Sequence, residues 1–164
     1  QENCRPFVAI ARLLGSAGVN VPVIHAEDLE RGFLLLSDLG HQTYLDVIDA
    51  GNADALFHDA IDALLAFQRL PMDAPLPSYD VALLRREVEL FPEWYVGREL
   101  GKTFDERQAA LWQRVSGLLI DSALAQPKVL VHRDYMPRNL MRSAPNPGVL
   151  DFQDAVYGLS LIHI

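Results

Sequence analysis

Apolar residues along this chain recur every three to four positions over long stretches and fall into short blocks elsewhere. Phe7, Ile10, Leu13 and Leu14 share one face of a segment that opens at Arg5. Pro6 suits its first turn, where a missing N–H costs nothing, and Gly18 is placed to stop it. Residues 21–25 and 33–36 are apolar blocks bounded by turn formers, which predicts two strands joined through a hairpin connection at 27–32.

Ser37-Asp38-Leu39-Gly40 breaks that pattern, and helical spacing follows. Asp54 is placed to cap a helix whose stripe is Phe57, Ile61, Leu64 and Phe67. Pro71, Pro75 and Pro77 end it in a stiff loop. Leu84, Val88, Phe91 and Tyr95 keep helical spacing, with Pro92 expected to kink or end the segment. Thr103 and Glu106 read as a capping box, opening a helix that turns Leu111, Val115, Leu118 and Leu119 inward. Past Pro127, residues 129–131 form a buried strand, 132–139 are polar and irregular, and Val149-Leu150 runs into Asp151. The predicted order is a helix and two strands, a hinge, three helical segments, and short strands carrying polar loops.

Half of the 164 residues are hydrophobic and 22% are charged, enough for one core and one folded unit, and no repeat is present. Lys and Arg number 14 against 22 Asp and Glu, a net charge of −8. Such a surface repels phosphate backbones and anionic lipid, so nucleic acid and membrane surfaces are not expected partners. It tolerates a neutral or cationic substrate, although most of this charge serves as solvated surface. The single cysteine, Cys4, permits no internal disulfide and fits a reducing cytoplasm. No signal peptide is visible, and no apolar run approaches the roughly 18 residues of a membrane span.

The chemistry concentrates between positions 131 and 154. Asp134 and Asn139 lie five residues apart just after a buried strand, and Asp151 follows a second apolar pair. Phosphoryl transfer from ATP needs a carboxylate to orient the attacking hydroxyl and accept its proton, and oxygen ligands to hold Mg²⁺ against the phosphates. Asp134 suits the first role; Asn139 and Asp151 suit the second. Each alone could be a turn former or cap, and His132 could be either a hydrogen-bonded strut or a proton carrier. Together, His-x-Asp-x-x-Pro-x-Asn after a strand and Asp-Phe after another have few accidental matches.

Residues 132–139 resemble the catalytic loop shared by protein kinases, choline kinases and aminoglycoside phosphotransferases. Leu150-Asp151-Phe152-Gln153-Asp154-Ala155 resembles the metal-binding segment of the small-molecule branch, with Gln153 where protein kinases have Gly. The resemblance implies an α+β, protein-kinase-like two-lobe fold. Residues 1–39 would be the remnant of the nucleotide lobe with its hinge, and 40–158 the helical catalytic lobe. ATP and Mg²⁺ are the implied cofactors. Adenine would pair with the backbone of Ser37, Asp38 and Leu39, while His132 and Arg133 stand behind Asp134.

Cys4-Arg5-Pro6-Phe7, Gln42-Thr43-Tyr44-Leu45 and Phe91-Pro92-Glu93-Trp94-Tyr95 are closest to the bacterial anomeric amino-sugar kinases, which act on C1 of N-acetylmuramate or N-acetylglucosamine in cell-wall recycling. That places Glu93, Trp94, Tyr95, Arg98 and Asp154 near a sugar, although Trp94 could equally anchor a helix end. The family's glycine-rich loop and phosphate-binding lysine are not found in these residues. Glu2 does not suit the lysine's partner, residues 159–164 match nothing in the family, and the chain by itself is expected to be inactive. An aminoglycoside kinase is the nearest rival, and a non-catalytic binding module is the alternative of another class.

Overall fold

Pro6 occupies the first turn of α1 (Arg5–Ser16), and the helix buries Val8, Ile10, Ala11 and Leu14 as one stripe. The computed structural model describes residues 3–71 and 76–159; Glu2, Pro75 and 160–164 lie outside them. Strands β1 (Ile24–Asp28) and β2 (Phe33–Leu36) pair antiparallel, with a register shift between Ile24 and Ala26. Their turn closes on Gly32 at φ +75°, where an L side chain would be strained. The first strand starts three residues later than its apolar block. Val21 is buried in the core instead, and Val23 meets Ser37 at the sheet end.

A short α2 (Tyr44–Val47) is closed by a Thr43–Asp46 capping box. Then come α3 (Ala53–Gln68), α4 (Val81–Val88), a wide π-helical segment Phe91–Glu99, and α5 (Glu106–Leu124). Pro92 sits at the entry of the π segment, where its missing donor is tolerated. The wide turn shows in the Leu100 N–H bonding back five residues to the Tyr95 carbonyl. Beyond α5 lie β3 (Lys128–Val131), β4 (Leu140–Met141), β5 (Gly148–Val149) and β6 (Val156–Leu159). β3 pairs with β6 and β4 with β5, both antiparallel.

Ile10 and Leu14 from α1, Val21, Tyr44, Phe67 from α3, Leu130, Val149, Phe152 and Tyr157 form one buried cluster. The N-terminal segment and residues 130–157 therefore share a core. A second cluster joins Tyr79, Leu84 and Ile120 to Val131, Val156 and Leu159. Both sets press on β3, the strand that leads into residues 132–139.

Several expectations are corrected. In α3 the buried residues are Leu56, Ala60 and Phe67, while Phe57 and Ile61 face outward. In α5 the buried positions are Ser116 and Ile120; Leu111, Val115, Leu118 and Leu119 are exposed. The cap of α5 is Asp105 with Gln108, two residues past the predicted Thr103–Glu106 box, and the cap position of α3 is Asn52 rather than Asp54. Leu159, set apart with the tail in the sequence, is the last residue of β6 and pairs with Lys128. Phe33 and Leu35 are exposed at 69% and 62%.

Candidate active site

Leu130 and Val131 are fully buried, so β3 delivers the next residue directly into the interior. That residue, His132, is 0% exposed. Its Nε2–H donates to the Leu150 carbonyl at 2.9 Å, and its Nδ1 accepts the Asp134 N–H at 3.3 Å. With both ring nitrogens so engaged, the neutral imidazole is the form that fits, and it bridges the two loops as a strut. Burial pushes the His132 pKa below its ordinary value, opposed by the Leu150 hydrogen bond and the Asp151 and Asp134 charges.

The unfolded chain then binds a proton near pH 6.5 that the folded chain refuses, so the stability present above that pH falls as acid is added. Urea midpoints are expected to drop between about pH 7 and pH 5, and His132→Gln should flatten that drop. An unchanged slope in the variant would dismiss His132 as its source.

Arg133 and Asp151 both adopt left-handed backbone, at φ +76° and +60°. For non-glycine residues each costs about 1–2 kcal/mol and persists only where the surroundings hold it. Between them Pro137–Asn139 makes a single 3₁₀ turn. The Asn139 amide donates to the Asp134 carbonyl at 2.8 Å and to Asp151 Oδ2 at 3.3 Å, and the Asn139 carbonyl receives the Leu150 N–H at 2.9 Å. Gln153 Nε2 donates to Asp151 Oδ1 at 2.7 Å. Asp134, Asn139 and Asp151 are thus gathered at one edge with both carboxylates facing solvent. Beneath them Phe152, 0% exposed, stacks on Phe7 of α1 with ring centroids 4.9 Å apart.

Among the described residues no cluster of three or more His, Cys, Asp or Glu side chains could hold a metal unaided. Asn139 and Asp151 offer two hard oxygen donors, the number a Mg²⁺ takes from protein when phosphates and water complete its shell. The donor set fits that ion.

Ser37, Asp38 and Leu39, the predicted hinge, come close to this edge through Leu39. The Ser37 N–H bonds the Val23 carbonyl at 2.9 Å and its hydroxyl accepts the Val23 N–H at 2.8 Å. Asp38 closes a turn onto the Gly40 N–H. Leu39 packs on Gly148 of β5 so closely that a Cβ there would stand 2.9 Å from Leu39 Cδ1. The segment leading into Asp151 is thereby seated against Leu39.

The other sequence candidates divide. Glu93, Trp94, Tyr95 and Arg98 form their own group on the π segment. Arg98 lies 3.7 Å over the Trp94 ring and 3.6 Å from Glu93, and Phe91 stacks on Tyr95 and meets Trp112. Phe91 links this group to Trp112 of α5, which in turn meets Phe104. Asp154 lines a cleft of about 550 Å³ with Arg5, Arg86, Arg133 and Gln153. Cys4 gives its thiol to the Gly32 carbonyl, a structural role. Glu87 and Tyr79 escaped the sequence reading. Arg133 reaches Glu87 at 2.6 Å across 46 positions, and no short-range pattern signals such a pair.

A model of the phosphotransferase enzyme family matches residues 1–161. This chain belongs to that family. Within it, the chain is 84% identical over 158 residues to an N-acetylmuramate/N-acetylglucosamine kinase of Pseudomonas putida, covering 96% of this chain and 47% of that protein. A kinase of the same name from Neisseria meningitidis is 42% identical over 157 residues, 93% of this chain and 46% of its own. The chain spans about half the length of the curated relatives it matches. Among solved structures, the streptomycin–ATP ternary complex of APH(2″)-IIa superposes with a TM-score of 0.65 at 15% identity, over 96% of this chain and 57% of that one. The α+β fold is that of the aminoglycoside phosphotransferases, the kinase-like architecture the motifs implied.

Proposed function

We propose that this phosphotransferase chain carries the reaction centre of an ATP-dependent kinase acting on a sugar hydroxyl, at C1 of N-acetylmuramate or N-acetylglucosamine. The observation that carries the reading is the gathering of Asp134, Asn139 and Asp151 through the Asn139 amide. The names of the relatives at 84% and 42% identity support the acceptor class. Such a product would belong to the recycling of cell-wall amino sugars.

In this reading Asp134 orients the acceptor hydroxyl and takes its proton as the new P–O bond forms and the β–γ bridge of ATP breaks. Bound Mg²⁺ supplies charge neutralisation on the phosphates. Asn139 and Asp151 would hold it. Ser37 already spends its N–H on Val23, so its carbonyl and the backbone groups of Asp38 and Leu39, without partners among the described residues, are left for adenine. Residues 1–39 then contribute the nucleotide side and 40–158 the catalytic side. Glu93, Trp94, Tyr95, Arg98 and Asp154 are proposed to flank the sugar, through aromatic stacking and hydroxyl bonds.

The longer polypeptide that carries this segment, supplied with Mg-ATP, is expected to phosphorylate N-acetylmuramate and N-acetylglucosamine at C1, read by ³¹P NMR, and to leave kanamycin untouched. Transfer to kanamycin alone would overturn the acceptor. Asp151→Ala and Asn139→Ala should both weaken productive Mg-ATP binding, and excess Mg²⁺ should rescue Asn139→Ala more, because the neutral amide is the weaker ligand. Identical activity of both variants at every Mg²⁺ concentration would count against metal roles.

A further inference from the structure

Asp134 follows a residue whose backbone conformation has to be held in place. Arg133 stands at φ +76°, a region that Arg does not favour. Its left-handed turn brings the Asp134 N–H back onto His132, and so sets the direction in which the Asp134 side chain leaves the loop. The Arg133 guanidinium donates to Glu87 Oε1 at 2.6 Å, with both side chains about two-thirds or more buried.

Glu87 is itself anchored. It sits in the last turn of α4, and its other oxygen accepts the Tyr79 hydroxyl. Burial, reinforced by Glu87, pushes the Tyr79 hydroxyl pKa up, so it stays protonated and donating. The Tyr79 ring lies 5.9 Å from the Arg133 guanidinium carbon, within reach of a cation–π attraction.

Tyr79 in turn hangs on the sheet. Its N–H bonds the Tyr157 carbonyl at 2.7 Å, and the Tyr157 N–H bonds the Pro77 carbonyl at 2.8 Å. Gly158 makes room for it, since a Cβ there would stand 2.8 Å from Tyr79 Cβ. A continuous chain of contacts therefore runs from β6 through Tyr79 and Glu87 to Arg133.

We propose that Glu87 is a positioning residue for phosphoryl transfer: by holding the Arg133 guanidinium it fixes the left-handed turn that aims Asp134 at the acceptor hydroxyl. This rests on the kinase reading above. Glu87 touches neither substrate nor metal in this role, and acts only through Arg133.

The test uses the full-length protein that carries this segment. Glu87→Gln should lower kcat by about tenfold or more while the KM values for ATP and sugar stay within about twofold, because the base is misaimed and binding is not. In an Arg133→Gly background, where glycine accepts the backbone turn and the guanidinium is gone, Glu87→Gln should change kcat by less than about twofold. A tenfold loss there too would show that Glu87 acts through the fold and overturn the proposal, as would wild-type kcat in the single variant. Amide hydrogen exchange over residues 132–139 gives a readout free of turnover, and Glu87→Gln should speed it about tenfold. Unchanged exchange overturns the proposal even in a protein without kinase activity, whereas failure of the wild type to phosphorylate any sugar refutes the kinase reading alone. Should Glu87→Gln fail to fold by circular dichroism, Glu87→Asp keeps the charge one methylene shorter, and full wild-type kcat in it would be equally fatal.

Discussion

Asp134→Asn in the longer polypeptide that carries this segment is expected to lower kcat for the proposed phosphoryl transfer by about 10²–10⁴-fold with nucleotide affinity nearly unchanged. The substitution isolates chemistry from architecture. Asp134 contributes to the loop through its backbone, with its N–H on His132 Nδ1 and its carbonyl on the Asn139 amide. An asparagine keeps both bonds and the shape of the side chain. It loses only the capacity to take a proton from the acceptor. Steady-state kinetics with a nucleotide-binding titration checks this, and a variant that keeps more than about a tenth of the wild-type kcat would remove Asp134 from the role of base.

Phe152→Ala should be the most damaging single change to stability, at about 3–5 kcal/mol. The side chain is fully buried, stacks on Phe7 of α1 and sits in the cluster that joins α1, α3 and the sheet ends. Against a total of about 5–15 kcal/mol for a domain, that loss leaves little or no folded population at the low end of the range. Because Phe152 directly follows the left-handed Asp151, a partly folded variant should also lose metal affinity. Phe152→Leu, which keeps much of the volume, should lose under about 1.5 kcal/mol. Urea denaturation measures both, and a loss below about 1 kcal/mol for the alanine variant would mean that the core closes without this ring.

What could be read without coordinates was local or compositional. Pro6 and the apolar spacing located α1, and the apolar block 33–36 is β2 to the residue. The spacing of Asp134, Asn139 and Asp151 pointed to residues that the fold does bring together. The faces of α3 and α5 were misread for a physical reason. Leu56, Phe57, Ala60, Ile61, Leu64 and Leu65 give α3 apolar residues on more than one side, and periodicity cannot say which side meets the core. Packing chose the smaller Ala60 over Ile61. In α5 two overlapping boxes, Thr103 with Glu106 and Asp105 with Gln108, both satisfy the capping rule, and the backbone uses the second. The β3–β6 pairing and the Glu87–Arg133 pair are long-range, and only the assembled fold reveals them.

The aromatic knot at the π segment has a practical corollary for spectroscopy. The chain has two tryptophans, Trp94 and Trp112. Trp94 lies half-exposed beneath Arg98, and Trp112 packs on Phe91 and Phe104 with its indole N–H buried and without an acceptor among the described residues. Both fluorophores therefore report on one corner, while the neighbourhood of His132 and Phe152 holds tyrosines instead: Tyr44, Tyr135 and Tyr157. Tryptophan emission excited near the red edge of its band would follow the π segment and α5 alone. Loosening of the loop 132–139 would be silent in that signal and visible in tyrosine circular dichroism, so a gap between the two melting curves would measure how independently the two regions come apart.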